Sequence, residues 1–148
     1  MRNRSNKIRL PIHFVWATKD RLPLIPAQEE ERLWRYLDAV CRDMRCDPLT
    51  IGGMPDHIHL LVNFGNTVSL AEFMKRIKGG SSRFISQELR GSELFQWQAH
   101  YGAFSVEPGN IKTVAAYISN QKQHHSEGTI YADWEEVYEK CEEDTSST

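Results

Sequence analysis

From His57 to Phe64 the chain reads His-Ile-His-Leu-Leu-Val-Asn-Phe, and this alternation constrains the fold more than any other stretch. Successive side chains of a strand point to opposite faces, so Ile58, Leu60, Val62 and Phe64 share one face and His57 and His59 the other. The first face demands an apolar layer above it. The second carries two imidazoles one residue apart, and two nitrogens on a rigid element can hold one metal ion; a pair of half-buried or solvent-facing histidines satisfies the same pattern. The turn Gly52-Gly53-Met54-Pro55-Asp56, preceded by a short strand around residues 48–52, predicts a β-hairpin with the histidines at its mouth.

Residues 8–18 alternate too, with Ile8, Leu10, Ile12, Phe14 and Trp16 on one face and Arg9, Pro11 and His13 on the other, which predicts a first strand. Pro23 and Pro26 break the chain, and Glu29-Glu30-Glu31 then bring negative charge to a helix start. Leu33, Leu37, Val40, Cys41 and Met44 follow at three-to-four spacing, predicting a helix over about residues 27–45. Ser69-Leu70-Ala71-Glu72 is a capping box for a second helix, with Leu70, Phe73, Ile77 and Phe84 on one side and Gly79-Gly80 weakening it midway. Residues 95–106 predict a fourth strand, and Pro108-Gly109-Asn110 leads into a third helix over about residues 111–125. The order β-α-β-β-α-β followed by α matches an α+β, ferredoxin-like (RRM-like) antiparallel sheet with two helices on one face. The extra C-terminal helix can cover the face onto which His57 and His59 open.

A chain of 148 residues with 40% hydrophobic content fits one domain, taken here as residues 1–130, followed by an acidic C-terminal tail at 131–148. The net charge of −2 conceals an asymmetry: residues 1–126 hold 17 Lys+Arg against 12 Asp+Glu, a balance of +5, and residues 127–148 hold 1 against 8, a balance of −7. The basic body suits a nucleic-acid partner, although solvated helix faces have the same composition. No apolar run of membrane-spanning length and no leader pattern is present, so no membrane partner is expected. Cys41, Cys46 and Cys141 are odd in number and lack C-x-x-C spacing, which argues against a disulfide framework and for the cytoplasm.

The second constellation is Tyr117-Ile118-Ser119-Asn120-Gln121, where helical spacing sets a tyrosine and a carboxamide on one face. Together with Met54-Pro55-Asp56-His57-Ile58-His59-Leu60-Leu61-Val62, the Trp97-Gln98 and Tyr101-Gly102-Ala103-Phe104-Ser105 segments, His124-His125, and the His13-Phe14-Val15-Trp16-Ala17-Thr18-Lys19 start, it resembles the single-tyrosine HUH transposases of the insertion-sequence 200/605 family. The likeness runs from about residue 8 to 126. It implies a homodimer, a divalent ion, and cleavage and rejoining of single-stranded DNA with hairpin ends through a 5′-phosphotyrosine link to Tyr117. It also maps a third metal ligand, beside His57 and His59, onto Gln121. In that family two subunits join their sheets edge to edge, and the tyrosine helix of one can complete the histidine site of the other.

The residue chemistry supports the same reaction. A phenol with pKa about 10 is only about 0.1% phenolate at pH 7, so tyrosine is a weak nucleophile unaided. A divalent cation can orient the scissile phosphate and offset the charge that develops. Two imidazoles and an amide leave positions open on an octahedral ion, which points to Mg²⁺ or Mn²⁺ rather than structural zinc. An aryl phosphate also preserves the bond for transfer to another strand's 3′-hydroxyl. For DNA contact, Lys75, Arg76, Lys78 and Arg83 crowd the second helix, and Lys19 and Arg21 follow the first strand. His124 and His125 suit a helix C-terminus or a phosphate contact better than metal ligation, and His13 and His100 read as structural or DNA-adjacent. Two other readings compete. A histidine-triad nucleotide hydrolase is disfavoured because Leu61 stands at the next alternating position, and a non-cutting hairpin DNA- or RNA-binding module has no need of Tyr117, His57, His59 and Gln121 together.

Overall fold

The computed structural model of the chain describes residues 6–89 and 95–128. The acidic tail, with Cys141, lies outside the described residues, as does the boundary drawn at residue 130. Four strands, β1 (Pro11–Ala17), β2 (Asp47–Met54), β3 (His57–Asn63) and β4 (Gly102–Ser105), form one antiparallel sheet in the order β2-β3-β1-β4. Helices α1 (Glu30–Asp43) and α2 (Leu70–Phe84) cover one face, and α3 (Ile111–Ser119) and α4 (Gln121–Glu127) lie on the other. This is the expected ferredoxin-like α+β sheet, with the terminal helices making a third layer.

The two central strands show why three layers are needed. Nearly every residue of β1 and β3 is buried, because apolar side chains pack both above and below them. Phe14, Trp16, Ile58, Leu60 and Val62 join Leu33, Leu37, Phe73, Met74 and Ile77 in the main core under α1 and α2. On the opposite face Leu61, Val114, Tyr117 and Ile118 form a smaller cluster beneath α3. Gly52 permits this second layer to sit close: a Cβ there would stand 2.2 Å from the Ile118 carbonyl oxygen.

Three elements depart from the sequence expectation. The fourth strand is only Gly102–Ser105; Trp97 makes one isolated bridge to Thr18, the Gln98 amide donates to the Ala17 carbonyl at 2.9 Å, and residues 99–101 leave the sheet, where the Lys78 ammonium takes the carbonyls of Gln98 and His100. The second helix runs through Gly79-Gly80 without interruption and continues into a π-turn at Ile85–Leu89. Gly80 serves packing there, since a Cβ would lie 2.5 Å from the Tyr36 hydroxyl on α1. The third helix divides at Asn120, whose φ −105°, ψ 28° end α3 and open α4. The Ser69 half of the capping box forms as expected, with the Ser69 hydroxyl accepting from the Glu72 amide at 3.1 Å.

Candidate active site

Strand β3 delivers His57 and His59 to the face beneath α3 and α4, and the two rings stand 5.0 Å apart, edge to face. Both are buried. The chain rejoins them from the far end: the Tyr117 ring on α3 meets the His59 ring edge-on at 5.9 Å, and on α4 the Gln121 amide oxygen lies 3.3 Å from His57 Nε2. Sixty residues of sequence separate the halves of this cluster, and one chain supplies both.

Hydrogen bonds fix which atoms face inward. Asp56 Oδ1 is 2.7 Å from His57 Nδ1, and an ionised carboxylate can only accept, so Nδ1 carries the proton. In the neutral ring His57 Nε2 is therefore a lone pair. The Gln121 amide nitrogen donates to the Tyr117 carbonyl at 3.3 Å, which turns its oxygen toward His57. A nitrogen lone pair thus faces an oxygen lone pair at 3.3 Å, an arrangement that a cation between them satisfies. Donors about 2.1 Å from Mg²⁺ in adjacent octahedral positions stand roughly 3.0 Å apart, close to this separation. Among the described residues no three His, Cys, Asp or Glu side chains form a group that could hold a metal ion, so an amide ligand is what could complete the imidazole pair.

The surroundings are polar and partly strained. Burial pushes the Asp56 carboxyl up, but the hydrogen bond from His57 and the nearby Arg21 guanidinium draw it the other way, and its pKa falls below the ordinary carboxylate value. Asp20 and Arg21 both take left-handed backbone angles, φ 57° and 56°, a conformation costly for a non-glycine residue. The Thr18 hydroxyl secures this turn by donating to the Leu22 carbonyl at 2.6 Å. The turn brings Arg21 within 3.9 Å of Asp56 and into the wall of a cavity of about 500 Å³ that it shares with Pro23, Met54, Pro55, His57 and His125.

Several participants were not assigned these places by the sequence reading. His125 Nε2 lies 3.1 Å from the Gln121 amide oxygen, and the His124 ring packs against Tyr117 at 4.7 Å, so both histidines face the cluster instead of capping the helix. Their i, i+4 and i, i+7 spacing from Gln121 and Tyr117 was the available signal. Lys122 ties α4 to the start of α1 by an ion pair with Glu30 and a 3.2 Å bond to the Gly53 carbonyl. Nothing in the sequence pairs residues 92 apart.

The basic residues divide between the two faces. Lys75, Arg76 and Arg83 line a groove of about 730 Å³ between α1 and α2, on the side of the sheet opposite the histidines. Arg76 pairs there with Asp43 at 2.6 Å. Lys78 turns inward to the Gln98 and His100 carbonyls, and Lys19 reaches the Gln96 side chain at 3.2 Å. Of these six residues, Arg21 alone lines the cavity beside His57.

Comparison with known proteins agrees with the fold. The ISDra2 transposase TnpA of Deinococcus radiodurans is 25% identical over 127 residues, covering 81% of this chain and 89% of that protein. A crystal structure of a candidate transposase from Deinococcus radiodurans R1 superposes with a TM-score of 0.62 at 24% identity, covering 82% of this chain and 97% of that one. A REP-associated tyrosine transposase bound to a REP hairpin gives a TM-score of 0.62 at 15% identity, with coverages of 94% and 82%. These two likenesses concern fold. The family model described as IS200-like transposase matches residues 6–121, most of the chain and every strand of its sheet, and the chain therefore belongs to the IS200-like transposases.

Proposed function

We propose that the chain is a metal-dependent transposase of single-stranded DNA that cleaves and rejoins strands through a 5′-phosphotyrosine intermediate and recognises hairpin ends. The observation that supports it most is the meeting, within one chain, of Tyr117 with His59 and of Gln121 with His57. Tyr117 Oη is the nucleophile. A bond forms between Oη and the scissile phosphorus, the bond from phosphorus to the 3′-oxygen breaks, and the phenolic proton is balanced by the one the departing 3′-hydroxyl gains. The 5′-phosphate stays on Tyr117 until a second 3′-hydroxyl displaces it. Mg²⁺ or Mn²⁺ held by His57, His59 and Gln121 would offset charge on the phosphate oxygens. Asp56 keeps His57 in the ligating tautomer, and Arg21, in the cavity wall beside it, is suited to a phosphate oxygen of the entering strand.

A hairpin stem is a larger and more remote ligand. The REP-associated transposase is bound to a hairpin in its structure, and the corresponding partner here is a DNA hairpin against Lys75, Arg76 and Arg83 on the α1/α2 face. A homodimer is the proposed assembly, since β2 and β4 leave two sheet edges. Among the described residues no helix is long and apolar enough to cross a membrane.

The test is covalent capture. A single-stranded oligonucleotide carrying the element's hairpin end, labelled on the 3′ side of the cut, should become attached to wild-type protein in Mn²⁺ and not in chelator. Tyr117→Phe should lose the adduct while binding the hairpin within about threefold of wild type. An adduct that survives in Tyr117→Phe, or forms fully in chelator, overturns the corresponding part of this reading.

A further inference from the structure

His13 is a buried imidazole that the reaction above leaves without a role. It lies on β1 two residues before Val15, the cross-strand partner of His59, so it is the diagonal neighbour of His59 on the same sheet face. Its Nε2 is 2.8 Å from His59 Nδ1, and the rings stack at 5.0 Å and 28°. Phe104 on β4 closes its other side at 6.0 Å, and His13 is 1% exposed. Two neutral imidazole nitrogens at this distance must share a single proton, because two lone pairs or two N–H groups would repel.

We propose that His13 is the positioning residue of His59, accepting the Nδ1–H of His59 at its own Nε2 and so leaving His59 Nε2 as the unprotonated, ligating atom. The inference rests on the metal-site reading of His57, His59 and Gln121. It gives the site a symmetry of cause: Asp56 holds Nδ1 of one ligand and His13 holds Nδ1 of the other, by an anion at the rim and by a neutral ring in the sheet. A neutral acceptor is what a deeply buried position tolerates, since an unpaired carboxylate there would be costly to desolvate. The central strands supply the rigidity, because β1 and β3 pair continuously from Pro11–Asn63 to Ala17–His57.

The experiment reads the imidazole nitrogens of the metal-free full chain by ¹⁵N NMR, then titrates Mn²⁺ calorimetrically. Wild-type His59 should be the Nδ1–H tautomer. His13→Phe, which keeps the ring and removes the acceptor, should release His59 from that tautomer and weaken Mn²⁺ binding roughly 10- to 100-fold, the usual cost of losing an outer-shell partner. His13→Gln, whose amide oxygen can accept the same proton, should retain the tautomer and recover most of the affinity. An Nε2–H tautomer in wild type overturns the proposal even where a variant fails to fold. So does a folded His13→Phe with unchanged tautomer and unchanged Mn²⁺ affinity. Wild-type protein that shows the Nδ1–H tautomer but binds no Mn²⁺ instead refutes the metal site and leaves the contact between the two histidines standing.

Discussion

Lys78 carries a charge that its surroundings discourage. Burial lowers its pKa from 10.5 to about 8, while its side chain donates to the carbonyls of Gln98 and His100. Between those two values the unfolded chain holds a proton that the folded chain has released, so stability rises with pH across the window of about 8 to 10.5. Cys41 acts in the opposite sense, its thiol pushed up to about 12 by burial, so that its contribution falls above pH 9. The difference between wild type and Lys78→Met isolates the lysine. In urea unfolding at several pH values, Lys78→Met should lack the lysine's share of the rise. The same variant should barely change the salt dependence of hairpin binding, whereas Lys75→Ala and Arg83→Ala should each lower the slope of log K against log salt by about 0.7 to 0.9. Asp56 offers an acid counterpart. Its pKa is depressed, so the stability it contributes is present above the ordinary carboxylate value and is lost as pH falls through the folded value. Asp56→Asn should therefore be less stable than wild type at pH 7 and converge with it in strong acid.

Elements meet this site through backbone as much as side chains. The C-terminal end of α3 rests on Gly52 so closely that an added Cβ would stand 2.2 Å from the Ile118 carbonyl oxygen, and Ile118 adjoins Tyr117. Gly52→Ala should cost roughly 1–3 kcal/mol by overpacking and reduce single-turnover cleavage at temperatures where the variant is folded, because α3 must move to make room. Gly79 is the control: its Cβ would meet nothing within 4 Å, and Gly79→Ala in the interior of α2 should stabilise by about 0.5–1 kcal/mol without touching cleavage. The contrast marks what the sequence could disclose. Both glycines were visible, and the pair at 79–80 read as helix-weakening, yet what faces a glycine is a tertiary fact. The break at Asn120 was hidden for the same reason: Tyr117 and Gln121 keep helical spacing across it, so the pattern predicted one helix where two exist. Strands β1 and β3 were legible because alternation encodes a buried face directly. Strand β4 was overextended because after Gln98, whose amide still bonds to Ala17, residues 99–101 leave the sheet beside the Lys78 side chain, a partner outside the segment.

At the scale of the molecule, the placement of His57 and His59 on the face away from α1 and α2 was readable from the strand, and so was a terminal helix covering them. Which chain supplies that helix was not, since sequence spacing says nothing about whether Tyr117 meets its own histidines or a neighbour's. The distances here belong to one chain: Gln121 to His57 at 3.3 Å, Tyr117 to His59 at 5.9 Å, with Lys122 fastening α4 to Glu30 on α1. A dimer built on this arrangement has two sites, each self-contained. Mixing Tyr117→Phe with His57→Ala under conditions of subunit exchange should then give no cleavage, because every site in the heterodimer lacks either nucleophile or ligand. A mixture of wild type with Tyr117→Phe should retain activity in proportion to the wild-type subunits. Exchange must be shown directly, by energy transfer between labelled subunits. Restored cleavage in the first mixture would mean that the active dimer swaps its α3–α4 segments, and that the arrangement within one chain is then not the one that cuts DNA. Glu30→Lys would sharpen the result. Breaking the ion pair to Lys122 should loosen α4 and lower activity in a self-contained site, and Lys122→Glu in the same chain should restore it by reversing the pair.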